Sequence, residues 1–155
     1  MNKNRKSLLL SLGIPLAVGI LGALLSGGTS LPADAIQPPL APPGWLFPIV
    51  WTALYLLMGY AAWIVKTSDA PRERKRRALL LYALQLLANF LWPVLFFGIG
   101  SFSGALVCIL VLWVLILLTI GAFSQVSPKA GDLLLPYILW VSFATYLNLG
   151  FFLLN

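Results

Sequence analysis

Residues 102–123 read FSGALVCILVLWVLILLTIGAF, a run of twenty-two residues without a charged side chain. An α-helix rises about 1.5 Å per residue, so a run of this length spans the roughly 30 Å hydrocarbon core of a bilayer. Lipid offers no hydrogen-bond partners to the backbone, and a helix satisfies its own amides and carbonyls. The stretch therefore predicts a transmembrane helix and indicates that the chain is a membrane protein.

Four similar apolar stretches accompany it, at about 8–26, 45–65, 78–97 and 133–154, and none contains a charged residue. The chain of 155 residues is 61% hydrophobic and 9% charged. A soluble domain is about 25% charged, so too little polar surface exists here to cover a water-exposed protein. We therefore predict an all-α membrane protein, a five-transmembrane-helix bundle forming one domain over residues 1–155.

The basic residues predict the orientation. All ten Lys and Arg lie before the first span, between the second and third, or between the fourth and fifth. With five spans these segments share one side of the membrane, and basic segments stay in the cytoplasm, so Asn155 is expected outside. Short basic runs between spans suit an anionic membrane surface, and no soluble domain carries a basic face, so we expect no nucleic-acid partner.

Two segments near the N-terminus each allow two interpretations. The basic residues before the first span and Ala33-Asp34-Ala35 resemble parts of a cleaved signal peptide. The apolar run of a signal peptide usually has roughly 7–15 residues. The run here is longer, which favours a helix that is retained. Segment 27–44 contains five prolines, which fix φ and stiffen the chain. It is either a rigid connector or a lid over a cavity that opens on the outer side.

Polar and aromatic side chains inside the spans recur at helical spacing, so they share helix faces. The three stripes are Trp51, Tyr55, Met58 and Ala62; Gln85, Asn89, Trp92 and Phe96; and Tyr137, Trp140, Ala144, Asn148 and Phe151. Aromatic surface with a few hydrogen-bonding groups is typical of a pocket for a flat, mostly apolar ligand. The alternative is that the stripes are helix–helix contacts whose amides bond across the bundle.

The residue types that are missing favour binding over conventional catalysis. The chain has no histidine, and its four acids, Asp34, Asp69, Glu73 and Asp132, lie outside the apolar stretches. Hydroxyl groups in the spans therefore have no general base, and no proton relay of carboxylates crosses the membrane. We expect no metal site and no required cofactor. The single cysteine, Cys108, permits no intrachain disulfide.

Motifs in the second, third and fifth spans resemble those of the TspO/MBR family, the tryptophan-rich sensory proteins. Animal members of this family are called translocator protein or peripheral benzodiazepine receptor. The motifs are PPGWLF at 42–47, VWTALY at 50–55, Met58-Gly59, LQLLANFLW at 84–92, LPYILW at 135–140 and FATYLN at 143–148. The resemblance covers the chain from Leu8 to Asn155.

This resemblance implies a five-helix bundle, often a homodimer, in a bacterial cell membrane. Its ligands would be porphyrins such as protoporphyrin IX, and other hydrophobic molecules, bound beneath the first loop. Trp51 and Trp140 would be the tryptophans associated with light-dependent degradation of protoporphyrin IX. Combined with the stripes, it predicts ligand contacts from Trp51, Tyr55, Gln85, Asn89, Trp92, Tyr137, Trp140, Ala144 and Asn148.

Two departures from the family pattern bear on the ligand. The first loop reads Leu31-Pro32-Ala33-Asp34 where the family usually has a Trp-Tyr pair, so an aromatic lid contact is missing. No basic residue follows Tyr146, so the usual sterol-recognition pattern is absent. The functions that remain are a sensory ligand-binding protein, a translocator of the same ligands, a light-dependent porphyrin-degrading enzyme, or a purely structural membrane protein.

Overall fold

The computed structural model describes residues 2–155, which fold into five long helices and one short one. These are α1 (Lys3–Leu25), α2 (Leu46–Thr67), α3 (Arg72–Pro93), α4 (Phe102–Val126), α5 (Pro128–Asp132) and α6 (Leu135–Leu154). A π-helical turn, Val94–Gly98, continues α3. The described residues contain no strand, and five helical segments are long and apolar enough to cross a membrane. The predicted fold class is therefore confirmed.

The helices run past the predicted apolar stretches at one end of the bundle. α1 already begins at Lys3 and α3 at Arg72, so several basic residues lie on helical turns. Long basic side chains can cover apolar surface with their stems while their charges stay in water. We call this end, where α2 is joined to α3 and α4 to α6, the basic end. The opposite end, where residues 27–44 join α1 to α2, is the lid end.

The bundle is closed by contacts of α3 with α4, α4 with α6, and α1 with α2 and α3. α1 and α2 are in close contact at Gly59, whose missing side chain makes room for the backbone of α1. A Cβ atom there would lie 2.7 Å from the Cα of Leu12 and would overlap the carbonyl of Ser11. Close backbone contact at small residues is a usual way for membrane helices to associate.

The surface that faces away from the bundle is apolar. Leu10, Leu24, Leu139 and Leu153 are each more than 60% exposed, two of them on α1 and two on α6. In water such a surface would drive association, whereas lipid is its natural solvent. The chain is thus an integral multi-pass membrane protein.

Candidate ligand-binding site

A cavity of about 870 Å³ lies at the lid end, between α1, α2, α3 and α6 and beneath the lid, residues 27–44. Ligand pockets usually occupy about 300–1,000 Å³, so this one has room for a sizeable organic molecule. Aliphatic and aromatic side chains form most of its wall, and no charged residue among residues 2–155 lines it. The exposed residues Thr29, Pro43 and Gly44 border the cavity, which therefore opens at the lid.

Six of the nine predicted ligand contacts lie on the cavity wall: Trp51, Tyr55, Asn89, Trp92, Ala144 and Asn148. The other three do not line it. Gln85 and Tyr137 are buried behind the wall, each about 1% exposed. Trp140 packs with its ring edge-on to Phe47, at 5.6 Å between centroids, and its buried indole N–H has no partner in the described part of the chain. Its photochemical role stays a prediction.

The two buried side chains behind the wall belong to a hydrogen-bond relay that links α2, α3 and α6. The hydroxyl of Tyr55 donates to Oδ1 of Asn89 at 2.8 Å, and Nδ2 of Asn89 donates to the Tyr137 hydroxyl at 2.8 Å. The Tyr137 hydroxyl donates to Oε1 of Gln85 at 2.6 Å. Nε2 of Gln85 then lies 3.9 Å from the sulfur of Met58. Each polar group therefore has a partner, as buried polar groups require.

A second polar bridge links α3, α6 and α4 at the lid end. Nε1 of Trp92 donates to Oδ1 of Asn148 at 2.9 Å, and Nδ2 of Asn148 donates to the carbonyl of Phe102 at 3.0 Å. All the polar atoms involved belong to neutral groups. Asn148 therefore holds three helices together and also borders the cavity.

The π-helical turn Val94–Gly98 shapes the aromatic part of the wall. Phe96 and Phe97 are consecutive in sequence, yet both line the cavity. The ring of Phe96 stacks on Trp92 at 5.2 Å and meets Phe151 edge-on at 5.3 Å. Single π turns inside α-helices are frequent at functional sites because they change which residues face inward.

Sequence reasoning missed the contribution of α1. Leu16, Gly19, Ile20 and Ala23 line the cavity, although this helix carries no polar or aromatic stripe. Their spacing of three, one and three residues describes one helix face, and the two small residues were the available signal. Gly19 is required because a Cβ atom there would overlap the ring of Tyr55.

The segment between α1 and α2 lies over the cavity, so the lid interpretation agrees with the structure. Leu31, Gln37 and Ala41 contribute to the cavity wall from above. The chain leaves α1 through Gly27 and Gly28, with φ of 73° and 109°. Glycine adopts such angles without steric cost, so this pair provides the turn into the lid.

Three contacts, which we call the clasp, tie the lid to α6. The backbone N–H and carbonyl of Ile36 pair with Oδ1 and Nδ2 of Asn155 at 2.9 and 3.0 Å. The Tyr146 hydroxyl donates to the carbonyl of Pro39 at 2.8 Å. Pro38 is buried against Gly150, where a Cβ atom would overlap the proline ring. The lid is thus held closed by specific contacts rather than by chain stiffness alone.

Comparison with known proteins identifies relatives over the whole chain. A profile of the TspO/MBR family matches residues 11–154. The chain is 41% identical to the tryptophan-rich protein TspO of Chlorobaculum tepidum over 160 aligned residues, covering 100% of this chain and 99% of that one. It is 42% identical to the tryptophan-rich sensory protein of Cereibacter sphaeroides over 114 residues, or 74% and 70% of the two chains. It is 39% identical to the translocator protein of Bos taurus over 138 residues, or 87% and 82%.

Gly150→Ala is expected to release the lid, because the added methyl group would displace Pro38. Losing this packing and the adjacent hydrogen bonds corresponds to about 1.4 kcal/mol, or a tenfold rise in lid opening. Hydrogen–deuterium exchange of residues 29–44 measures it. Gly13→Ala is the control, since a Cβ atom at Gly13 would meet nothing within 4 Å. Unchanged lid exchange in Gly150→Ala would show that the clasp does not hold the lid.

Proposed function

The chain belongs to the TspO/MBR family, and we propose that it binds porphyrins and other flat hydrophobic molecules in the cavity beneath its lid. The observation that carries the proposal is the composition of the wall. The aromatic surface comes from Trp51, Trp92, Phe96 and Phe97. Among residues 2–155, only two buried amide side chains line the wall, Asn89 and Asn148. Flat conjugated rings gain favourable stacking contacts on such surfaces in addition to the burial of apolar area.

The absence of charge along the cavity wall constrains how a porphyrin would lie. Burying a carboxylate without a charged partner is costly, so the acidic side chains of protoporphyrin IX would remain in water. The opening beside Thr29, Pro43 and Gly44 offers that position. The apolar ring would then lie deeper, toward Trp51 and Asn89. Porphyrins with esterified acids would be able to enter further.

Translocation receives less support from the structure than binding does. The cavity ends at the relay, and below it α2 presents a fully packed face toward the basic end. Met58, Ala61, Ala62 and Val65 are each 3% exposed or less. A ligand would have to displace this packing to reach the opposite side. We therefore propose a binding or sensory role.

Ala144→Phe tests whether the cavity is the binding site. Ala144 is 3% exposed and lines the cavity, so a phenyl ring there occupies space that the ligand needs. We expect protoporphyrin IX to bind at least about tenfold more weakly, equivalent to 1.4 kcal/mol. Saturable quenching of tryptophan fluorescence in lipid nanodiscs measures the affinity, with empty discs as the blank.

The matched control for this experiment is Ala83→Phe, which adds the same ring to a lipid-exposed position of α3. It should bind protoporphyrin IX like the wild type. If quenching were linear with concentration and equal in all three proteins, the porphyrin would be dissolved in lipid and the proposed site would be wrong.

We further infer that the basic end lies in the cytoplasm of a bacterial cell and the lid outside it, because all ten Lys and Arg belong to the basic-end segments and turns. Single cysteines test this in a Cys108→Ser background. Ser30→Cys in the lid should react with a membrane-impermeant maleimide in intact cells, and Asp69→Cys only after lysis. The reverse labelling pattern would show that the protein has the opposite orientation in the membrane.

The expected homodimer stays a prediction.

A further inference from the structure

In the hydrogen-bond relay of Tyr55, Asn89, Tyr137, Gln85 and Met58, each bond has a donor and an acceptor. The end of the relay away from the cavity, at Met58, determines which group donates in every bond. Every hydroxyl and amide in it can either donate or accept, so the same heavy atoms would allow two opposite hydrogen-bond patterns. The two patterns differ in what they offer to the cavity, because Tyr55 and Asn89 line it and the other three side chains do not.

Met58 removes this ambiguity. A thioether sulfur accepts hydrogen bonds weakly and has no hydrogen to donate. Met58 is fully buried, at 0% exposure, and its sulfur lies 3.9 Å from the Gln85 amide nitrogen. The reverse arrangement would place the Gln85 oxygen against this sulfur, two acceptors facing each other without a proton. Gln85 therefore directs its NH₂ group at Met58 and its oxygen at Tyr137.

The orientation of Gln85 determines each later step. Since Oε1 of Gln85 accepts, the Tyr137 hydroxyl donates to it and must itself accept from Nδ2 of Asn89. Oδ1 of Asn89 then accepts from the Tyr55 hydroxyl. Tyr55 has donated its only proton, so its oxygen offers lone pairs to the cavity. Asn89 retains one N–H that the relay does not use.

We propose that Met58, Gln85 and Tyr137 are positioning residues that fix the relay direction, so that among neutral ligands the cavity favours those that bring an N–H or O–H donor to Tyr55. This inference rests on the proposed function, since it concerns the specificity of the same cavity. With no charge on the wall, the direction of these hydrogen bonds is what separates otherwise similar flat aromatic molecules. A ligand whose donor is blocked leaves the Tyr55 oxygen without its additional partner.

Carbazole and N-methylcarbazole are the matched probes, because both are flat, neutral and apolar and only the first has an N–H donor. In nanodiscs we expect the wild type to bind carbazole about fivefold more tightly, the size of one neutral hydrogen bond. Tyr55→Phe should reduce this ratio to about one by removing the acceptor. A ratio of one in the wild type, or a ratio that persists in Tyr55→Phe and so reflects the bulk of the methyl group, would overturn the proposal.

Variants behind the wall test the positioning role, since none of these side chains reaches the cavity. Gln85→Leu deletes the acceptor for Tyr137, which lets the relay reverse, and should bring the carbazole ratio close to one. Met58→Leu replaces the thioether with a branched aliphatic chain of similar volume, so it should also lower the ratio while the fold is retained. If Gln85→Leu does not fold, Met58→Leu still tests the proposal.

The C–O stretching frequency of Tyr55 distinguishes a positioning role from a merely structural one. It is isolated by subtracting the infrared spectrum of Tyr55→Phe from that of the protein with Tyr55. This frequency moves in opposite directions when a tyrosine hydroxyl donates and when it accepts. It should indicate a donor in the wild type and shift in Gln85→Leu and Met58→Leu. Val65→Ala, a buried change on α2 two turns beyond Met58 toward the basic end, should lower stability and leave frequency and ratio unchanged.

The outcomes separate this inference from the proposed function. If neither probe binds saturably in any variant, the cavity is not a ligand site and both proposals are wrong. If both probes bind saturably but the ratio is equal in wild type, Gln85→Leu and Met58→Leu, the cavity binds ligands and only the relay inference is wrong.

Discussion

The structure depends on the requirement that polar groups buried among membrane helices find partners in the protein, because lipid offers none. Two amides meet this requirement with bonds that cross between helices. Asn89 accepts from Tyr55 of α2 and donates to Tyr137 of α6, and Asn148 joins α3 to α4. Contacts of this kind contribute about 0.6–2 kcal/mol each. They also fix where the helices stand relative to one another.

The cavity follows from how these constraints are distributed along the bundle. Close to the basic end, Gly59 allows α1 and α2 to touch backbone to backbone. Toward the lid end the ring of Tyr55 lies against Gly19 of α1, the π turn after α3 brings Phe96 and Phe97 inward, and the space between helices is left open. The amides that stabilise the bundle thus border the cavity, where a bound ligand would meet the few hydrogen-bonding groups that the helices do not use.

The sequence predicts the five spans because an uncharged run of bilayer length has one stable form in lipid. Eight of the thirteen residues in the three stripes line the cavity wall, and six of these were predicted to contact a ligand. A stripe at helical spacing cannot distinguish a residue on the wall from one directly behind it, which is why Gln85 and Tyr137 were expected to contact the ligand. The π turn and the pairing of Ile36 with Asn155, 119 residues apart, depend on tertiary contacts without a local signal, and the only local signal for the cavity face of α1 was its two small residues.

The measurement that tests the central claim most directly is the position of a porphyrin within the protein. Crystals grown in lipid with zinc protoporphyrin IX allow the zinc atom to be located by anomalous scattering at its absorption edge. The account predicts one peak inside the cavity, between Trp51, Asn89 and Phe96 and beneath the lid. A peak on the lipid-facing surface with an empty cavity would contradict it.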